Sequence, residues 1–314
     1  MDRNLALEFV RVTEAAAIAA AKWVGRGERK KADGAAVDEM RDRFNFVDFS
    51  GEVVIGEGKK DEAPELYVGE KLGTGQGPEL DIAVDPLECT DSVANGRPNA
   101  IAVIATGAKG TLFKAPDMYM EKIACGPGAV GSISLLATVE ENIKNVAGRL
   151  KKDVSEITVM VLDRPRHESL IKQVRSTGAR VVLITDGDVA GAIAPSLPDS
   201  GIDLLMGIGA SAEAVLAAAA IKCLGGEMQA RLAPKDDKQR LELKDMGIKD
   251  IEKILTLEDL AKGQDLTFTA TGVVDGPLLK GVRYTADYCI THSVVMRVKT
   301  GTVRFVETHH RLSS

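Results

Sequence analysis

The sequence predicts an α/β protein, and three observations carry that prediction. From residue 157 onward, continuous apolar runs alternate with amphipathic stretches, the rhythm of strand–helix–strand units on a parallel sheet. Glycine supplies 31 of the 314 residues, which suits layers joined by many tight turns. Aromatic residues reach only 4%, which argues against a β-sandwich or an aromatic-rich binding surface.

The bulk properties narrow the function classes. Hydrophobic content of 45% and charged content of 27% are those of an ordinary soluble globular protein. A formal charge of -6 argues against a nucleic-acid partner, which selects a basic surface. A phosphorylated metabolite remains compatible with that charge, because a few local arginines and bound cations outweigh a mildly acidic whole. Cys89, Cys125, Cys223 and Cys289 form no CxxC pair or regular framework, so they read as reduced, buried thiols of a cytosolic protein. No apolar run approaches the roughly 18 residues that span a bilayer, and no leader pattern opens the chain. A soluble, cytoplasmic protein without a membrane partner is expected.

The first elements follow from periodicity. Residues 3–24 place Leu5, Phe9, Val12, Ala16, Ala19 and Trp23 on one face of a helix, ended by Gly25 and Gly27. Asp33 has the chemistry of an N-cap for a second helix running to Phe44. EVVIG (52–56) reads as a strand whose end carries GEGKKDEAPE (56–65). Glycine on both sides of Glu57 lets the backbone turn so that the carboxylate is aimed, which a solvated acidic loop does not require. DIAVDPLECTDS (81–92) brings a buried strand to Asp85, where Pro86 is expected to stop the ladder and leave Asp85 at a strand end. Strands at 99–107 and 118–126 and a helix over 132–150 complete this part.

The second part is more regular. TVMVLD (158–163), RVVLITDGD (180–188) and DLLMGIGAS (203–211) read as parallel strands, each followed by a helix. Ligands of such sheets gather at the carboxyl ends of the strands. Those ends carry Asp163, Arg164 and Arg166, then Asp186 and Asp188, then Gly209 to Glu213. GIGAS lacks the third glycine of a dinucleotide fingerprint. Beyond residue 231 a charged helix (235–247) and strands at 266–274, 287–298 and 302–307 are expected to fold back onto the α/β part. The division expected is a metal-binding half, 1–155, and a substrate-binding half, 156–314.

Carboxylates therefore collect on separate loops: Asp33, Glu57 with Asp61, Asp85 with Glu88, and later Glu213. Oxygen donors of this kind suit hard divalent cations. Two such ions would clamp a phosphoryl oxygen, acidify a water and stabilise the leaving alkoxide. Arg164 and Arg166 would grip a second anionic group.

GEGxxDEAPxLYxGE, DIAVDPxE with Thr one residue later, APDMYMEK, RPRH, DGDVA and THSxxMR occur here in that order. Together they resemble the class II, bacterial-type fructose-1,6-bisphosphatases from the first helix to about residue 305. The resemblance implies a layered sugar-phosphatase fold of the lithium-sensitive phosphatase superfamily, with alternating helix and sheet layers. It also implies hydrolysis of the 1-phosphate of fructose 1,6-bisphosphate in gluconeogenesis, with Mn²⁺ or Mg²⁺, two ions per site, in a homo-oligomer (dimer or tetramer). Carried over by motif, the metal ligands are Asp33, Glu57, Asp85, Glu88 and Glu213. Substrate contacts fall on Glu88, Cys89, Thr90, Tyr119, Arg164, Pro165, Arg166, Asp186, Gly187, Asp188 and Ala210. Asp61 and Thr90 match positions that orient the attacking water. No nucleophilic Ser or Cys motif accompanies the acids, so direct in-line attack by water is expected, without a phosphoenzyme.

Two departures stand out. Cys89 replaces a glycine that the family usually carries after DPxE, and Ala210 replaces the second glycine after GIG. Both fall where backbone should approach metal or phosphate, so a side chain there is expected to crowd the approach or resist a positive φ. Two alternatives stay open: a dual enzyme that also cleaves sedoheptulose 1,7-bisphosphate, and a metabolite-binding relative that has lost turnover.

Overall fold

The structure, a computed structural model, describes residues 5–58 and 66–312. The chain opens with α1 (Leu5–Ala21), α2 (Arg29–Phe44), β1 (Ser50–Ile55), β2 (Lys71–Leu72), β3 (Glu79–Glu88), α3 (Thr90–Asn95) and β4 (Ala100–Ala108). It continues with β5 (Tyr119–Cys125), α4 (Val139–Leu150), β6 (Thr158–Leu162), α5 (Glu168–Ser176), β7 (Arg180–Ile184), α6 (Asp188–Ile193), β8 (Leu204–Ala210), α7 (Ser211–Leu224) and β9 (Glu227–Leu232). It closes with α8 (Asp237–Asp245), β10 (Leu255–Thr256), α9 (Leu257–Leu260), β11 (Thr267–Val274), β12 (Arg283–Tyr284), β13 (Tyr288–Arg297) and β14 (Thr302–Arg311). The architecture is mixed α/β with two sheets, as the sequence rhythm predicts.

The chain forms two compact units, Met1–Lys114 with Lys262–Ser314, and Ala115–Ala261. The expected boundary near residue 155 falls inside the second unit, between α4 and β6. In the first unit, eight strands take the order β12-β13-β11-β4-β3-β1-β2, with β14 outside β13. Only β1 and β3 run parallel there. The face predicted for the first helix is the buried one: Phe9, Val12, Ala16 and Ala20 pack into one cluster with Met40 and Phe44 of α2 and with Phe49, Ile82 and Ile104. Phe9, Phe44 and Phe49 meet edge-on at 5.4–6.3 Å between ring centroids. Each such buried side chain contributes about 1.5–3 kcal/mol, so this cluster anchors α2 and with it Asp33.

In the second unit, six strands take the order β10-β9-β5-β8-β6-β7. β6 lies parallel to both β7 and β8, the βαβ arrangement read from the sequence, while β5 and β9 are antiparallel additions. Ile123, Val159, Val161 and Leu204 pack against Ile143 and Val146 of α4 and Ile171 and Val174 of α5. In α7, ten of 14 residues are buried, which is why its alanine-rich sequence shows no polar face.

Three local expectations change. Asp33 is not an N-cap: α2 begins four residues earlier, at Arg29, and Asp33 sits in its second turn. Pro86 does not end β3, which pairs with β4 as far as Glu88 through a bulge between Asp85 and Glu88. A bulge is one of the few ladder positions where proline's missing N–H costs nothing. The helix expected over 132–150 starts only at Val139, behind a capping box of Thr138 and Glu141. Among the described residues, no helix is long and apolar enough to cross a membrane.

Candidate active site

In the first unit, the carboxylates of interest leave the same end of neighbouring strands. Ile55 of β1 pairs with Ala83 of β3 in parallel, and Glu57 and Asp85 each follow two residues later. The turn at Glu57 depends on its glycines. Gly56 has no room for a side chain because a Cβ there would strike the Leu66 carbonyl, and Gly58 takes φ +129. Glu57 N–H donates to that same carbonyl at 3.0 Å, which fixes the turn.

Asp33 approaches Glu57 from α2. Burial, reinforced by the Asp33 charge, pushes the Glu57 carboxyl up to about 7. Asp33 is raised as well, by burial, against the opposing pull of Arg29. A buried acid held protonated by burial and by a neighbouring carboxylate favours a cation beside it. Asp85 accepts a hydrogen bond from Leu87 N–H at 3.1 Å across the bulge, so the bulge that Pro86 helps to form also orients this carboxylate. Glu88, at the end of β3, is buried.

Cys89 and Thr90 follow directly. Cys89 adopts φ +73, ψ +50, the left-handed conformation that a glycine would take freely. Its side chain is not exposed but belongs to the apolar cluster under the sheet. Cys89 therefore carries left-handed backbone strain while its side chain packs into the apolar cluster. Thr90 opens α3, and its hydroxyl accepts a hydrogen bond from Arg29 Nη2 at 3.4 Å, while Arg29 Nε pairs with Asp91 at 3.1 Å. Asp61 lies outside the described residues.

The second unit gathers the other predicted residues. Tyr119 of β5 and Ala210 of β8 are register partners. The Arg166 guanidinium lies 4.7 Å from the centre of the Tyr119 ring and donates twice, at 3.0 and 2.8 Å, to the Ile208 carbonyl. Pro165 starts the 3-10 turn that carries Arg166. Arg164 stands 3.9 Å from Asp186. Gly187, at φ +94, turns the chain into α6, where Asp188 is the first residue. Ala210 has φ −70, ψ 156, an extended conformation open to any residue, so the alanine carries no backbone strain there. Glu213 lies in the first turn of α7; burial raises its carboxyl, and its Oε2 has no hydrogen-bond partner among the described residues.

Two residues escaped the sequence reading. Lys122 is buried in β5, and its ammonium pairs with Asp188 and donates to the Ala210 carbonyl at 3.0 Å. His167 is buried, with Nδ1 2.8 Å from the Leu162 carbonyl and Nε2 accepting from Ile208 N–H at 2.7 Å. That pairing selects the neutral ring with its proton on Nδ1, and burial lowers its pKa accordingly. The signal for Lys122 was the cation of APDMYMEK placed within a predicted strand; His167 was visible only as the last letter of RPRH.

Within each unit there are carboxylates whose chemistry suits a hard divalent cation: in the first, the buried Glu57 raised further by the Asp33 charge, and in the second, the buried, unpartnered oxygen of Glu213. Among the described residues, no group of three or more His, Cys, Asp and Glu side chains is already drawn together as a cage. All four cysteines are buried and none forms a disulfide, and burial pushes the Cys125 and Cys223 thiols up to about 12. Cys125 and Cys223 are therefore poor nucleophiles.

The profile of the family described as bacterial fructose-1,6-bisphosphatase, glpX-encoded, matches residues 3–310. The class 2 fructose-1,6-bisphosphatase of Haemophilus influenzae is 47% identical over 99% of this chain and 97% of its own length. Fructose-1,6-bisphosphatase 1 class 2 of Escherichia coli K12 is 46% identical over 99% of this chain and 96% of its own. With the acidic strand ends, the Arg-bearing turn and the ordered motifs all inside the matched span, this chain belongs to the bacterial, glpX-encoded fructose-1,6-bisphosphatase family.

Proposed function

We propose that this chain hydrolyses the 1-phosphate of fructose 1,6-bisphosphate, giving fructose 6-phosphate and phosphate, as a gluconeogenic phosphatase. The observation that carries the reading is near-full-length identity of 46–47% to class 2 fructose-1,6-bisphosphatases, with the acidic motifs on ordered strand ends. The cation ligands proposed are Asp33, Glu57, Asp85, Glu88 and Glu213, holding two Mn²⁺ or Mg²⁺ ions. When bound, such a cation neutralises phosphoryl charge and lowers the pKa of water beside it.

The chain's own groups do the rest. The Thr90 hydroxyl accepts from Arg29, so its proton remains available to a phosphoryl oxygen or to the attacking water. Asp61 would orient that water. Tyr119 and Arg166 form one unit on which the sugar phosphate rests, with Arg164 and the Asp186–Asp188 turn alongside. Binding energy spent on this distal end orients the scissile phosphate for in-line attack. Water is the proposed nucleophile, since no nucleophilic Ser or Cys motif accompanies the acids and burial pushes the Cys125 and Cys223 thiols up to about 12. The mixed α/β layering fits the lithium-sensitive phosphatase superfamily, and a cytoplasmic homo-oligomer completes the reading.

The test is phosphate release with Mn²⁺ from fructose 1,6-bisphosphate, sedoheptulose 1,7-bisphosphate and inositol phosphates, with the sugar product identified. Release of one phosphate per fructose 1,6-bisphosphate, leaving fructose 6-phosphate, is expected. Absence of release from every sugar phosphate would sink the phosphatase reading.

A further inference from the structure

A buried lysine with no role in the reaction so far ties together three of the residues that the reading above assigns. Lys122 is among the largest fully buried side chains of the protein, and its Nζ pairs with Asp188 Oδ2. The same nitrogen donates to the carbonyl of Ala210 at 3.0 Å. Asp188 is the first residue of α6 and Ala210 the residue that precedes α7, so one ammonium pins the entrances of two helices. Glu213, in the first turn of α7, feels the charges of both Lys122 and Asp188.

The slot is built for this pair. A Cβ placed on Gly209 would collide with Asp188 Oδ2 and come within 2.7 Å of Lys122 Nζ, so glycine at 209 reserves the space that the ion pair fills. Ser211, next to Ala210, is held independently, its N–H donating to the Met118 carbonyl at 2.9 Å. The β8–α7 junction is therefore clamped on both sides, and only the Lys122 side is ionic.

We propose that Lys122 is a positioning residue for substrate binding: it holds Asp188 and the Ala210 backbone in one arrangement and so sets the mouth between α6 and α7 that receives the sugar phosphate. This rests on the phosphatase reading. A buried ion pair is a poor source of net stability, since desolvation offsets its attraction, so a fixed geometry is the advantage left for it to supply. By occupying Asp188, the lysine also leaves Glu213 as the carboxylate with an unpartnered oxygen there.

The experiment compares wild type, Lys122→Met, Asp188→Asn and the double variant in phosphate release from fructose 1,6-bisphosphate with saturating Mn²⁺, and reads KM and kcat separately. Thermal midpoints and calorimetric binding of fructose 6-phosphate are measured in parallel. Lys122→Met is expected to raise KM about tenfold or more, the scale of a lost charge-assisted hydrogen bond, with kcat within about threefold. Because Lys122 acts through Asp188, the double variant should raise KM no further than Asp188→Asn alone, and fructose 6-phosphate binding should weaken in parallel. Removing both charges also avoids an orphaned buried carboxylate, so the double variant keeps the test valid if Lys122→Met fails to fold. Wild-type KM and product affinity in a folded Lys122→Met protein, or KM effects that multiply in the double variant, would overturn the assignment. Absence of hydrolysis by wild type itself would instead overturn the phosphatase reading, and product binding would then decide the role of Lys122.

Discussion

Two pairs of acids, one pair in each unit, are handled in opposite ways. In the second unit the chain supplies its own cations: Lys122 for Asp188 and Arg164 for Asp186. In the first unit Asp33 and Glu57 face one another, both raised, with Arg29 as the one cation that lowers Asp33. A carboxylate already paired by lysine is a structural or positioning group. One that is buried beside another acid calls for a cation from solution. The contrast supports the proposed cation role of Asp33 and Glu57, and Glu213 is the residue of the second unit that follows the pattern of the first.

The largest effect should come from breaking the first pattern. Glu57→Ala and Asp85→Ala are each expected to lower kcat/KM by at least about a thousandfold at saturating Mn²⁺, the several kcal/mol of charge stabilisation that a bound cation supplies. Near-normal rates in either variant would contradict the assignment. Breaking the second pattern should cost less and should appear in a different constant. Arg166→Leu removes the guanidinium from the Tyr119 ring and from the Ile208 carbonyl. An increase in KM of about 10- to 100-fold, with kcat little changed, is expected in steady-state kinetics.

A smaller effect concerns pH. Glu57 in the folded, cation-free protein titrates near 7, above its ordinary 4.5, so the folded state binds the proton more tightly than the unfolded chain. Its contribution is fully present below the unfolded value and is lost as pH rises through 7. In chelator, the thermal midpoint of wild type is therefore expected to fall between pH 6 and pH 8. Glu57→Gln should flatten that slope, and an equal slope in both proteins would show that the acid pair is not its origin. The smallest effect belongs to Cys89→Gly. Relief of about 1 kcal/mol of left-handed strain is offset by loss of a buried side chain of similar worth, so the midpoint should stay within a few degrees of wild type in a thermal melt.

Much of this was legible in the chain. Apolar runs locate β6, β7 and β8, the 3–4 spacing locates α1, and the glycines flanking Glu57 mark the turn at the end of β1. What escaped was non-local or permissive. Nothing near Lys122 announces Asp188, because the partner lies 66 residues away and comes close only when β5 enters the sheet beside β8. Pro86 was read as a stop because proline usually ends a ladder, whereas here a bulge absorbs it and keeps Glu88 on the strand. Asp33 looked like a cap because aspartate is a good one, but α2 starts at Arg29 behind a Glu28 that makes no side-chain cap. Cys89 was expected to resist a positive φ; the strand end and α3 hold it there while its side chain finds an apolar seat.

The central claim, that Asp33 and Glu57 hold a divalent cation while Asp188 is satisfied by Lys122, is tested most directly by titrating Mn²⁺ into wild type, Glu57→Gln and Asp188→Asn. Free Mn²⁺ is followed by electron paramagnetic resonance at pH 8. Wild type and Asp188→Asn are expected to take up the ion alike, and Glu57→Gln to lose uptake. Unchanged uptake in Glu57→Gln, or uptake lost only in Asp188→Asn, would contradict it.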